Sequence, residues 1–189
     1  MVLKEEGFDP SLVSLLVDDE TESVARIAAL RPEIRLIDFT GPGEMARWLK
    51  ENAHQAVVFA QQPGLNCVIV DSTTDYKGML RNLAISLCLY SGQLPATPRL
   101  LLVSLEGVRT PEGTVPGGQF ARDLAFAIGR LLDDPQRAVE ILGCVQSRTV
   151  SGRIESLKAE YDVIRDSSLI AHSTWPEARI HSPLLLQLT

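Results

Sequence analysis

The amino-acid sequence predicts an α/β fold with a parallel sheet. Short β-rich runs alternate with segments of helical periodicity through the first hundred residues, the signature of strands joined by crossover helices. The 189 residues are 45% hydrophobic and 22% charged, enough apolar material for a buried core of one large domain or two small ones.

The first residues, Met1 to Glu6, read as a helix with no capping residue ahead of it. Leu12–Val17 is then a candidate strand, Glu22–Ala29 a helix, Arg35–Phe39 a strand, Glu44–Ala53 a helix and Ala56–Phe59 a strand. Cys67–Val70 and Arg99–Val103 flank a helix over Tyr76–Tyr90, which Asp75 is placed to cap and Gly92 to end. From Gly107 to Gly118 the composition turns to Gly, Pro and Thr, which predicts a surface loop. Helices are expected again over Phe120–Leu132 and Arg137–Leu142, separated by an Asp-Asp-Pro stop, and over Val150–Lys158. Val163–Ile164 and Ile170–Ala171 are short strand candidates. Pro183–Leu188 closes with the apolar run Leu184-Leu185-Leu186, which would present an uncovered strand edge. With both ends so abrupt, the chain is expected to be a fragment of a larger fold that self-associates or needs a partner. No internal repeat is visible.

The formal charge of −6, and the absence of any Lys/Arg-rich run, argue against nucleic acid as a partner. No stretch approaches about 18 uninterrupted apolar residues, and no leader-like apolar segment follows the charged Lys4, Glu5 and Glu6, so a cytoplasmic protein with no membrane partner is expected. Cys67, Cys88 and Cys144 are odd in number, far apart and without histidines at metal-ligand spacing. They are expected to be buried thiols in a reducing compartment, with no metal site.

Three segments, in order and spacing, carry a family resemblance: Asp38-Phe39-Thr40-Gly41-Pro42, Gln61-Gln62-Pro63-Gly64-Leu65-Asn66, and Tyr90-Ser91-Gly92-Gln93-Leu94-Pro95-Ala96-Thr97-Pro98. The chain resembles the aldehyde dehydrogenase superfamily. The segment from Val70 to Ala84, with Gly7-Phe8-Asp9-Pro10 and Pro183-Leu184-Leu185, is most similar to its phenylacetic acid degradation branch, whose members act on a coenzyme A-linked semialdehyde. The resemblance implies a partial fold: the C-terminal part of a Rossmann-like dinucleotide-binding domain over residues 1–60, and part of the catalytic α/β domain over residues 61–189. It also implies NAD or NADP as cofactor. The strands carrying the family's oxyanion-hole asparagine and ribose-contacting lysine, and its oligomerisation flap, are outside the match.

The family's Phe-Thr-Gly-Ser turn opens a helix whose N–H groups meet the cofactor's pyrophosphate. Here that turn is Thr40, Gly41 and Pro42, and proline brings neither the hydroxyl nor an N–H, though it suits a first helical turn. From the residues alone, Thr40–Gly43 is simply a tight strand-to-helix turn. The family's general base, a glutamate, falls on Gln61, whose amide has no titratable proton near neutral pH. The nucleophilic cysteine falls on Pro95, 34 residues beyond Gln61 as in the family, and proline has no nucleophilic atom. Cys88 lies on an apolar stretch where a thiol acts as a small hydrophobe, so it is not expected to substitute. His54, His172 and His181 are expected to be structural or solvated, and Trp48 and Trp175 to be packing anchors.

These substitutions lead to the expectation of an oxidoreductase relative that is inactive alone and binds cofactor poorly. Three readings stay open: a degenerate dehydrogenase, a binding or regulatory module paired with an intact dehydrogenase subunit or with its own copies, and the product of a broken reading frame.

Overall fold

In the computed structural model, residues 2–18, 23–62, 64–145 and 149–188 are described. They fall into two compact units, Met1–Pro63 and Gly64–Thr189.

The first unit starts with a short helix α1 (Val2–Glu5) and a 3-10 turn over Pro10–Leu12, which the Asp9 side chain begins by accepting from the Ser11 N–H at 2.9 Å. Residues 13–17 form no strand, contrary to the expectation for Leu12–Val17. The apolar run is present, but among the described residues nothing pairs with it, and an extended segment becomes a strand only by hydrogen-bonding a neighbour. Helix α2 (Val24–Ala29) is capped by Ser23, whose hydroxyl accepts from the Arg26 N–H; Glu22, the expected first residue, lies outside the described residues. Strand β1 (Leu36–Thr40), helix α3 (Gly43–Asn52) and strand β2 (Val57–Gln61) then make a β-α-β crossover with β1 and β2 parallel. Both strands alternate between exposed and half-buried positions, so one face carries Leu36, Asp38 and Thr40 beside Val57, Phe59 and Gln61. The buried residues of this unit are small or few: Ala29, Ala46, Leu49 and Ala53. Gln55 supplements them by donating to the carbonyls of Ala29 and Arg31, and Arg26 stacks over Trp48, 4.9 Å from the ring centroid.

The second unit repeats the crossover. Strand β3 (Cys67–Val70), helix α4 (Tyr76–Cys88) and strand β4 (Leu100–Val103) place β3 and β4 in parallel register, Cys67 opposite Leu100. Asp75 caps α4 as predicted, accepting from the Gly78 N–H at 2.8 Å. The helix stops at Cys88, two residues short of the expected Tyr90, in a tight turn over Leu89–Gly92. The expected loop from Gly107 to Gly118 contains a hairpin, β5 (Val108–Thr110) and β6 (Gly113–Val115), with Val108 fully buried. Gly107 and Gly113 adopt φ of +98° and +128°, and the same glycines that read as loop composition make the tight reversal possible. Helix α5 (Gly117–Leu131) packs on α4, and α6 (Pro135–Leu142) follows with Asp134 as its cap. Helix α7 (Thr149–Glu160) leads to β7 (Asp162–Arg165), which pairs antiparallel with β8 (Leu185–Gln187). Ile170 and Ala171 form no strand; the bridge there joins Leu169 to His181. Leu80, Leu83, Phe120, Leu124, Ile128 and Leu142 dominate one core.

Candidate functional site

The residues singled out in the sequence fall on both units. In the first, β1 and β2 run parallel, so their carboxyl ends lie side by side, where open α/β sheets bind their ligands. Thr40 and Gln61 are register partners at those ends, and the Gly41 N–H donates to the Gln61 carbonyl at 3.2 Å. Gln61 is therefore fastened by its backbone to the Thr40–Pro42 turn. Its side-chain amide is exposed. An amide donates and accepts hydrogen bonds but takes up no proton near neutrality, so Gln61 can orient a water and not activate it.

Pro42 is the N-cap residue of α3 and makes no side-chain cap hydrogen bond. Its carbonyl accepts the first helical bond from Ala46 at 3.2 Å, which leaves the N–H groups of Gly43, Glu44 and Met45 without intrahelical acceptors. These backbone donors suit an anion. The cap position itself supplies neither hydroxyl nor N–H, so the residues present do not fit the family's contact at that point.

In the second unit, Pro95 is exposed in the loop between α4 and β4. The loop opens with three consecutive residues of positive φ: Tyr90 at 51°, Ser91 at 52° and Gly92 at 69°. Left-handed backbone at two non-glycine residues costs on the order of 1–3 kcal/mol each and persists only where the surroundings impose it. Here side chains impose it. Ser91 is in hydrogen-bond reach of the carbonyls of Gly143 and His181, at 3.3 and 3.2 Å. The Gln93 amide donates to the carbonyls of Tyr90 and Cys144, each at 3.0 Å, and Arg99 donates to the Gly92 carbonyl at 2.7 Å. The Asn66 amide donates to the carbonyls of Pro95 and Thr97, the latter at 3.2 Å. Asn66 and Arg99 carry this loop, and sequence reasoning gave them no role. Asn66 stood in a quoted motif, but nothing local signals a hydrogen bond 29 residues away.

Cys88 is fully buried at the end of α4. Burial pushes its thiol up to about 11, with the nearby Arg165 guanidinium offsetting part of the effect. Its burial matches the apolar setting expected of it from the sequence. Cys67 and Cys144 are exposed, which corrects the expectation of three buried thiols; Cys67 falls on the outward side of β3. His181 is buried with Nε2 2.9 Å from the Ser151 hydroxyl, and burial, reinforced by Arg179, lowers its pKa. His172 accepts from the N–H groups of Thr174 and Trp175 in a local turn, and its ring lies 4.5 Å from that of Trp175. Among the described residues, no group of three or more His, Cys, Asp or Glu gathers as a metal site, and no helix is long and apolar enough to cross a membrane.

Residues 1–108 match the model of the aldehyde dehydrogenase family. The crystal structure of an NAD-dependent aldehyde dehydrogenase from Burkholderia multivorans is 41% identical over 97% of this chain, with a TM-score of 0.80. An NAD-dependent benzaldehyde dehydrogenase from Corynebacterium glutamicum (16% identity, 98% of the chain, TM-score 0.68) and a 1-pyrroline-5-carboxylate dehydrogenase from Thermus (21%, 98%, 0.60) share the fold. The chain spans 33%, 38% and 36% of these three proteins, about a third of each. No curated protein matches the sequence.

Proposed function

The chain belongs to the aldehyde dehydrogenase family, and on that premise we propose that it is a relative without dehydrogenase activity of its own, its nucleophile and general base both replaced. The observation that carries this reading is Pro95. The family reaction begins with a thiolate attacking the aldehyde carbon to give a thiohemiacetal, and a thioester follows once hydride has left. Proline has no atom that can attack and no backbone N–H to donate to a developing oxyanion. Gln61 removes the second function, since an amide can neither deprotonate a thiol nor activate the hydrolytic water.

The cofactor reading is weakened in the same direction. NAD or NADP would meet the start of α3, where Thr40, Gly41 and the N–H groups of residues 43–45 remain but Pro42 contributes no donor. Residues 1–60 are read as the cofactor-binding part and residues 61–189 as the catalytic part. The wording of Val70–Ala84 supports descent from the phenylacetic acid degradation branch, with its coenzyme A-linked semialdehyde as the ancestral substrate. The exposed thiols of Cys67 and Cys144 suit a reducing compartment such as the cytoplasm.

A second reading, that the chain pairs with its own copies or with an intact dehydrogenase subunit, is favoured by one observation. Leu36, Val57 and Phe59 are all more than half exposed on one sheet face.

Incubating the chain with NAD or NADP and a panel of aldehydes is expected to yield no reduced cofactor. Turnover that survives a Cys88→Ala change would require a nucleophile elsewhere and would end the inactive reading.

A further inference from the structure

We propose that Asn66 is a positioning residue, holding whatever stands at position 95 through its carbonyl oxygen, so that this loop keeps its shape although the nucleophile is gone. The inference rests on the reading of position 95 as the family's nucleophile position. Asn66 precedes β3 and grips the loop in two ways. Its backbone carbonyl accepts from the N–H groups of Arg99 and Leu100 at 2.8 and 3.1 Å, which sets the register of β4 against β3. Its side-chain amide reaches the carbonyls of Pro95 and Thr97. Arg99, held by that backbone contact, donates to the Gly92 carbonyl at the other end of the loop.

The side-chain contacts of Asn66 and Arg99 on this loop therefore all end on carbonyl oxygens, those of Gly92, Pro95 and Thr97. Every residue type has a backbone carbonyl, and proline lacks only the N–H. A clamp built on carbonyls accepts proline and cysteine alike, which accounts for a proline at this position without collapse of the strained turn before it. It also assigns a specific chemistry to Asn66: two N–H donors facing acceptors. Aspartate has nearly the same shape, but its ionised form has no donor and would set a negative charge against two carbonyls. Its protonated form has one donor.

The test uses the full chain with Cys67→Ser, Cys144→Ser and Pro95→Cys, the introduced thiol carrying a trifluoromethyl ketone tag, while buried Cys88 stays untagged. The fluorine resonance reports the surroundings of position 95. One line, displaced from its position in urea, is expected. Adding Asn66→Asp should move the line toward the urea value at neutral pH, with an opening population raised about two- to tenfold. Acidifying through the carboxyl's titration should return it part of the way, because the protonated group regains one of the two donors. A line unmoved by Asn66→Asp, or one displaced equally at both pH values, overturns the proposal. If tagging of Cys88 shows that Asn66→Asp unfolds the chain, Asn66→Gln is read instead. It keeps the amide on a longer stem, so more than one line supports the positioning role, and a line identical to the parent's rules it out. No aldehyde or cofactor is present, so a failure here is distinct from a failure of the nucleophile reading. That reading is tested separately by thioester formation.

Discussion

On the proposed reading, two of the departures from the family's chemistry are single side chains, Pro95 and Gln61, and each can be reversed. In a Pro95→Cys, Gln61→Glu chain given aldehyde and cofactor, a covalent adduct on the introduced thiol is expected by mass spectrometry, because the loop around position 95 is held by contacts that do not involve the proline ring. No adduct in a folded chain would mean that the lesion extends beyond these two residues. The native thiols permit a second check. Cys88, shifted from near 9 to about 11, has about a hundredfold less thiolate at pH 8 than an ordinary thiol and is shielded as well. Cys67 and Cys144 should therefore react with a thiol reagent in the native state, and Cys88 only on unfolding; three equivalent rates would contradict its burial. The same shift has a sign in stability. Between pH 9 and 11 the unfolded chain gives up the Cys88 proton before the native chain does, so the unfolded state binds fewer protons and native stability falls as pH rises. The loss is at most about 3 kcal/mol. Burial and the neighbouring Asp123 raise the Tyr76 pKa in the same direction. Denaturant titrations should show a slope against pH in this range that is shallower in Cys88→Ala.

At the scale of the elements, polar caps and tethers do much of the holding. Asp75→Ala, which removes the acceptor for the Gly78 N–H, should lower stability by about 1 kcal/mol, read as a fall in thermal midpoint. Helix α7 has no buried residue; the contact of Ser151 with His181 and the Lys158–Asp166 ion pair at 2.9 Å help tie it to the rest of the unit. Because the native pKa of His181 is lowered, the unfolded chain takes up its proton first as pH falls below about 6.5, and stability is lost on acidification. His181→Gln, which can still meet Ser151 but does not titrate, should flatten that slope. The elements most legible in the sequence were those whose signals are local. The apolar runs of β1 to β4 and the cap at Asp75 were read to within two residues. Leu12–Val17 looked like a strand because β propensity can be read without knowing whether a partner exists. The hairpin over residues 108–115 looked like a loop because its composition is that of its turn, while the buried Val108 gives no such sign. Pro42, Gln61 and Pro95 could be singled out from the sequence because a missing hydroxyl, carboxyl or thiol is visible as residue type. Asn66 and Arg99 were not, since their roles consist of contacts made by tertiary folding.

For the molecule as a whole, the balance of exposed and buried apolar surface argues for association. The β1–β2 pair has two strands and, among the described residues, no strand on either outer edge. Two-stranded sheets are marginal in water, and open edges recruit further strands. Leu36 (63% exposed), Val57 (59%) and Phe59 (58%) share one face, while beneath it the unit buries three alanines and Leu49. A face this apolar, next to so small a core, is worth more covered than exposed at about 25 cal/mol per Å². The chain is therefore expected to exceed its 20.7 kDa monomer mass in light scattering, increasingly so with concentration. Phe59 pairs in register with Asp38, so Phe59→Lys sets opposite charges across the strands while removing the largest apolar group from the face. That change should shift the chain toward monomer without unfolding it. A compact monomer at every concentration of the unaltered chain would show that this face needs no cover, and the idea that the chain works by pairing would lose its physical basis.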